Sequence, residues 1–274
     1  MTVLQALLLG CVQGLTEFLP VSSSAHLVLV PWVLGWDHLA ESGFIFDVLV
    51  QGGTLVAVIA YFWRDLFSLA RAAVEGILGG KPWGTPRARL AWLLVAATIP
   101  ASMAGVALKS LVEEAFSAPV AVSVCLLATA LILWLSERYH RGSRTMIELT
   151  LVDSLVIGLW QALALFPGIS RSGATIAGGL FRGMERSEAA RFSFLMSVPV
   201  MIGANMIALL DLANTPEFTQ QAAPLIAGFA AAVVVGFASI HWLLRFLTRR
   251  PLTVFSIYCL VAGLATLLGG MLRG

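Results

Sequence analysis

Six stretches of this chain, residues 43–63, 88–109, 118–137, 192–211, 222–245 and 251–272, are each apolar over the length of a membrane-crossing helix, for which about 20 residues are needed. No soluble core of ordinary size could cover six such helices, so the solvent must be lipid. The whole chain agrees: 274 residues are 59% hydrophobic and 12% charged, with a mean hydropathy of +0.90, far outside the range of soluble domains. The expected class is an all-α integral membrane protein. Between the first two spans, "RDLFSLARAAVEGILGG" at 64–80 is interrupted by Arg64, Asp65, Arg71 and Glu75, and predicts a separate amphipathic helix lying at the interface.

Two further segments, 2–35 and 147–182, are apolar at both ends but broken in the middle by proline, serine and charge. Irregular backbone at membrane depth is tolerated only inside protein or against a watery cavity. Each segment therefore predicts a re-entrant helix-loop-helix hairpin whose tip lines a site. At a constant offset of 148, Gln13 falls on Gln161, Leu15 on Leu163, Phe18 on Phe166, Ser22 on Ser170, Ser24 on Ser172, Phe44 on Phe192 and Phe46 on Phe194. The chain thus reads as one membrane domain, 1–274, made of repeats 1–140 and 147–274. One hairpin plus three spans is an odd number of crossings, so the second copy must be inverted, and a site belongs where the copies meet. The expected topology puts 14 of the 17 Lys and Arg residues on one side, with Lys109 and Arg273 on the other and Arg171 within the membrane. By the positive-inside rule the basic side is cytoplasmic and both termini are outside.

The first tip reads "QGLTEFLPVSSSAH", residues 13–26. Gln13 and Glu17 are four apart and share a helix face. Pro20 ends the incoming half-helix, and Ser22 or Ser23 suits the N-cap of the returning one, with Ser24 and His26 close behind. The second tip, "PGISRSGAT" at 167–175, repeats the plan: Pro167 breaks the helix, Gly168 permits the turn, and Ser170, Ser172 and Thr175 open the next helix around Arg171. A helix N-terminus with hydroxyls and a guanidinium is a phosphate or carboxylate site on physical grounds. A charge at the bilayer centre costs about 2.5–3.5 kcal/mol on insertion scales, and an anionic ligand would offset it. The bland alternative for Arg171 is a pairing with Glu17 that only neutralises it; for the serines, it is a bond to the preceding turn of helix.

Other features narrow the field. Cys11, Cys125 and Cys259 are far apart with no CxxC pairing, and read as packing residues rather than a disulfide or metal framework. No cleaved signal peptide is expected, because "LQALLLG" lacks a basic lead and a small-residue cleavage site. Net charge is only +2, with the basic residues dispersed, which argues against nucleic acid as a partner. Asp47 and Gln51 share a face of the first span and suit either support of the site or plain helix packing.

The two tips resemble the undecaprenyl-diphosphate phosphatase family, also known as the bacitracin-resistance family. "QGLTEFLPVSSSAH" matches its [E/Q]-x-x-x-E element with the following serine-histidine run. "PGISRSGAT" matches its Pro-Gly-x-Ser-Arg-Ser-x-x-Thr element, and the likeness extends to "FWRDLF" and "FSFLMSVPVMIGA". The resemblance implies hydrolysis of a C55 polyprenyl diphosphate to the monophosphate carrier in the bacterial cytoplasmic (inner) membrane. It makes Glu17, Ser23, His26 and Arg171 the catalytic candidates, and Gln13, Ser22, Ser24, Gly168, Ser170, Ser172 and Thr175 the substrate-binding ones. It also implies a divalent cation, Mg²⁺ or Ca²⁺, at Glu17 and Gln13, the latter a neutral amide and a weaker ligand than a carboxylate. Ser23 activated by Glu17 or His26, His26 itself, and water all stand as nucleophiles at this stage. The partners are the lipid substrate and the bilayer, and a homodimer is compatible with both. The rival reading of the inverted repeat is a lipid-phosphate flippase or anion transporter.

Overall fold

The computed structural model describes residues 1–36, 43–108, 111, 119–212 and 222–273; Lys109 lies outside them. The described chain is helical: α1 Val3–Phe18, α2 Ser23–Leu34, α3 Gly43–Leu78, α4 Pro86–Ala107, α5 Pro119–Tyr139, a 3₁₀ turn at Met146–Glu148, α6 Leu151–Leu163, α7 Arg171–Phe181, α8 Arg186–Leu212, α9 Ala222–Leu247 and α10 Thr253–Arg273. Extended pairing among the described residues is limited to one isolated bridge, Arg144 with Met184. Five of the helices are long and apolar enough to cross a membrane: Phe46–Leu78, Pro86–Ala107, Val120–Tyr139, Arg186–Met206 and Ala222–Leu247. The sixth expected span corresponds to α10, whose apolar part Thr253–Gly269 falls just short of that length.

The segment 64–80 follows the first span across a break at Phe62, where φ of −100° and ψ of 18° are not helical, so α3 is two helices joined at a kink and the second holds the expected polar segment as far as Leu78. No proline or glycine follows the kink within "WRDLFSLARAAVE" to stop the helix. Its charges are also accommodated: Arg191 reaches Asp65 at 3.3 Å and sits over the Phe62 ring at 5.7 Å.

Both broken segments are helix-loop-helix hairpins whose two ends lie together. In the second, Asp153 in the first turn of α6 accepts from Arg182 Nε at 2.6 Å, just beyond α7, and from Arg144 at 2.9 Å. Arg182 therefore fastens the exit of the hairpin to its entrance. In the first, Met1 and Trp36 pack on one cluster with Ala6, Leu9 and Phe46. Thr2 and Thr150 start α1 and α6 with the same capping box, to Gln5 and Asp153 respectively.

The hairpins enter the bundle in matching ways, α1 along α9 and α6 along α4, while α5 lies along α10 and α3 along α8. Glycine makes the first two contacts close. A Cβ on Gly10 would collide with the Gly228 backbone, and one on Gly158 with the carbonyl of Ala97 and the ring of Pro100; small residues are what let membrane helices approach this closely. Gly10 and Gly158 are themselves 148 residues apart, a correspondence that the tips alone did not reveal. Phe18, Phe62 and Phe194 fill the centre of the core, with Phe18 edge-on to Phe194 at 5.4 Å. Gly10→Ala is expected to lower the thermal unfolding midpoint in detergent by several degrees, since overpacking a tight contact costs about 1–3 kcal/mol. Gly203→Ala, with nothing within 4 Å of the added carbon, should leave the midpoint unchanged. Equal midpoints for the two variants would show that the α1–α9 contact has slack.

Candidate active site

The two tips touch. Ser22 caps α2 and Ser170 caps α7, each accepting from the backbone N–H three residues on. In each tip the capping hydroxyl lies 3.2 Å from the second serine hydroxyl, Ser22 with Ser24 and Ser170 with Ser172. Each second serine then crosses to the other tip: the Gly168 N–H donates to Ser24 Oγ at 3.3 Å, and Ser172 Oγ donates to the Leu19 carbonyl at 3.0 Å. Two helix N-termini, each the positive end of a helix dipole, are thereby held side by side.

Backbone strain concentrates here. Ser22 has φ of 71° and is the one non-glycine residue with positive φ among the described residues; such strain persists where the surroundings over-determine it. Gly168 has φ of 98° and sits so close to the Val122 carbonyl that no side chain would fit. Thr129, from α5, holds this turn by donating to the Gly168 carbonyl at 3.1 Å and accepting from the Ser170 N–H at 3.0 Å. A lone threonine in an apolar span carries no sequence signal for such a contact.

Glu17 is the hub. One carboxylate oxygen accepts from Ser23 Oγ at 2.6 Å and from Gln13 Nε2 at 3.1 Å; the other accepts from Arg171 Nη2 at 2.8 Å. Glu17 is 8% exposed and the Arg171 side chain 15%. The second terminal nitrogen of Arg171, Nη1, is buried without a partner. The guanidinium therefore pairs with Glu17 and still keeps a donor free, which neutralisation alone does not require.

These residues face a cavity of about 720 Å³. Glu17, Ser22, Ser23, Ser24, Ser170 and Arg171 line it, and so do Thr16, Gln51, Thr98, Ser102 and Gln161, to which the motifs assigned no part in the site. Apolar walls come from residues such as Val106, Leu165, Pro199, Val200 and Met201. The remaining candidates stand behind the lining. Gln13 supports Glu17 and reaches Thr54 at 3.5 Å. Gly168 makes the turn, Ser172 joins the tips, and Thr175 bonds Ser193 of α8 at 2.6 Å.

His26 also lies outside the lining. Its Nδ1 is 2.7 Å from the Ser22 carbonyl and its Nε2 is 2.6 Å from the Tyr258 hydroxyl, whose ring stacks on it. Both nitrogens are thus occupied, and neither bonds Ser23. Gln51 lines the cavity but Asp47 does not, and Asp47 is exposed on the protein surface. Of the cysteines, only Cys259 is buried, with Sγ 3.6 Å from the Pro20 carbonyl; Cys11 is exposed and Cys125 half-buried, so the packing role holds for one of three.

Among the described residues no three His, Cys, Asp or Glu side chains cluster as a metal site. The protein supplies one carboxylate, Glu17, and a neighbouring amide, Gln13. That donor set suits a cation held mainly by phosphate oxygens and water, the usual manner of Mg²⁺ at phosphoryl sites, and not an all-protein cage.

Known proteins are similar to this chain over nearly its whole length. An undecaprenyl-diphosphatase of Thermomicrobium roseum is 43% identical over 275 aligned positions, covering 98% of each chain. One from Moorella thermoacetica is 46% identical over 261, covering 94% of each, and one from Methanosphaera stadtmanae is 40% identical over 275, covering 97% of each. A family model described as "Bacitracin resistance protein BacA" matches residues 6–265. That match runs from the first turns of α1 into α10 and contains every residue that meets at the two tips, so the chain belongs to the bacitracin resistance protein BacA family.

Proposed function

We propose that this chain hydrolyses undecaprenyl diphosphate to undecaprenyl phosphate and inorganic phosphate, so that the cell-wall lipid carrier can be used again. The observation that carries the reading is the short Ser23–Glu17 bond of 2.6 Å beside an arginine with one free donor. Ser23 Oγ attacks the terminal phosphorus as Glu17 takes its proton; the bond to the bridging oxygen breaks, Glu17 passes that proton to the departing oxygen, and undecaprenyl phosphate leaves. Water then attacks the phosphoserine, gives its proton to Glu17, and frees inorganic phosphate as Ser23 is reprotonated. Phosphoryl transfer depends chiefly on positioning and charge stabilisation. Arg171 Nη1 and the N-termini of α2 and α7 supply positive charge and N–H donors for the equatorial oxygens. His26 is a positioning residue, holding the strained Ser22 carbonyl.

Glu17, with Gln13 behind it contributing its amide oxygen, would hold the cation, Mg²⁺ or Ca²⁺, which would neutralise phosphate charge when bound. The membrane arrangement is six crossings, α3, α4, α5, α8, α9 and α10, with two re-entrant hairpins in an inverted repeat. The exchanged packing of α1 on α9 and α6 on α4, and the paired serine caps, support it. Both termini lie outside the bacterial inner membrane, in keeping with the 14 basic residues assigned to the opposite side. The apolar walls of the cavity suit the first isoprenyl units, while the rest of the tail lies in lipid.

The test is release of inorganic phosphate by purified protein in detergent. Undecaprenyl diphosphate with Mg²⁺ should turn over, EDTA should stop the reaction, and added Mg²⁺ should restore it. No phosphate release by folded protein in Mg²⁺ would overturn the hydrolase, and full activity in saturating EDTA would remove the cation from the scheme.

A further inference from the structure

Gln161 lies on α6, is 3% exposed and lines the cavity, yet neither its amide nitrogen nor its amide oxygen has a hydrogen-bond partner. A buried side chain with both polar ends unmet is costly and calls for an explanation. The repeat supplies one. Its counterpart Gln13 spends its amide on Glu17 and Thr54, but the position matching Glu17 is Leu165, which offers no acceptor. The second amide is thus left without the partner that occupies the first. Gln161 lines the same cavity as Glu17, Ser23 and Arg171 but bonds none of them, so its amide is available to a part of the ligand other than the phosphorus under attack.

We propose that Gln161 binds the lipid-linked phosphate of the diphosphate. Its Nε2 donates to a non-bridging oxygen of that group, while Arg171 and Ser23 address the terminal phosphate. Its carbonyl oxygen accepts from water on the same headgroup. A neutral amide is well suited here, because it grips the phosphate that leaves with the lipid without the added charge that would slow its departure. The assignment rests on the hydrolase reading above and adds to it a residue that distinguishes a diphosphate from a single phosphate.

The test uses the full chain in detergent with Gln161→Leu, which removes both amide atoms at similar volume. Its thermal unfolding midpoint should equal or exceed that of the wild type, because an unpaired buried amide is replaced by an apolar side chain. On undecaprenyl diphosphate KM should rise about 10- to 100-fold, the range for loss of one hydrogen bond to a charged group, with kcat changed far less. Methylene diphosphonate, which cannot be hydrolysed, should raise the wild-type midpoint and have little effect on the variant, whereas inorganic phosphate should act equally on both. Should Gln161→Leu fail to fold, Gln161→Met is to be read by the same measurements. Unchanged KM and unchanged diphosphonate binding would overturn the assignment, as would a loss confined to kcat. Absence of wild-type turnover would instead sink the hydrolase reading, so the two failures are separable.

Discussion

Arg171→Ala should reduce phosphate release from undecaprenyl diphosphate by about 10³-fold or more, the scale on which an arginine contributes to phosphoryl transfer elsewhere. Two losses combine in that one change. The free Nη1 donor disappears from the cavity, and Glu17, buried and bonded at 2.8 Å to the other nitrogen, loses its counter-ion, and removing one partner of a buried ion pair is strongly destabilising. Arg171→Lys should recover less than about a tenth of the wild-type rate, because a single ammonium cannot hold Glu17 and also present a second, fixed donor in the guanidinium plane. Steady-state kinetics in detergent, with unfolding midpoints recorded beside them, checks this. Near-normal turnover by the lysine variant would mean that charge alone is needed, and the two-sided role of the guanidinium would have to be given up.

The second large effect concerns the nucleophile. Ser23→Ala should lose about 10²- to 10⁴-fold in kcat, and Glu17→Gln a similar amount, since positioned proton transfer contributes on that scale. Rates alone do not separate a serine nucleophile from a serine that orients water. Rapid quenching with substrate labelled on the terminal phosphate does. Wild type and His26→Asn should both yield a phosphoserine at position 23, and Ser23→Ala should yield no labelled protein. Label on His26 would transfer the nucleophile to the imidazole and require the Tyr258 bond at 2.6 Å to open during turnover. No label in any variant, with Ser23→Ala still active, would leave water as the attacking group.

Much of the local structure was written in the residues. Long apolar runs dictate helices, because in lipid the backbone must bond to itself. Pro20 and Pro167 with Gly168 mark where two of those runs break, and the serines beyond them cap the helices that follow. Even the equivalence of the tips was legible from the offset of 148, because N-capping is a local bond within a few residues. What no local rule reaches is the convergence of side chains from distant helices. Glu17 and Arg171 meet across 154 residues, and His26 turns to Tyr258 across 232. Those meetings depend on how close α1 and α6 come to their neighbours, which Gly10 and Gly158 decide. The motifs grouped His26 with the catalytic residues and Ser172 and Thr175 with the substrate-binding ones because they are near in sequence, yet packing sets all three behind the cavity wall. Gln161 was visible only as a repeat match, because the lack of a partner for a buried amide is a property of its whole three-dimensional surroundings. The kink at Phe62 divides along the same line: the charge pattern foretold the polar helix that follows it, while the Arg191 contacts from α8 at its start come only from the fold.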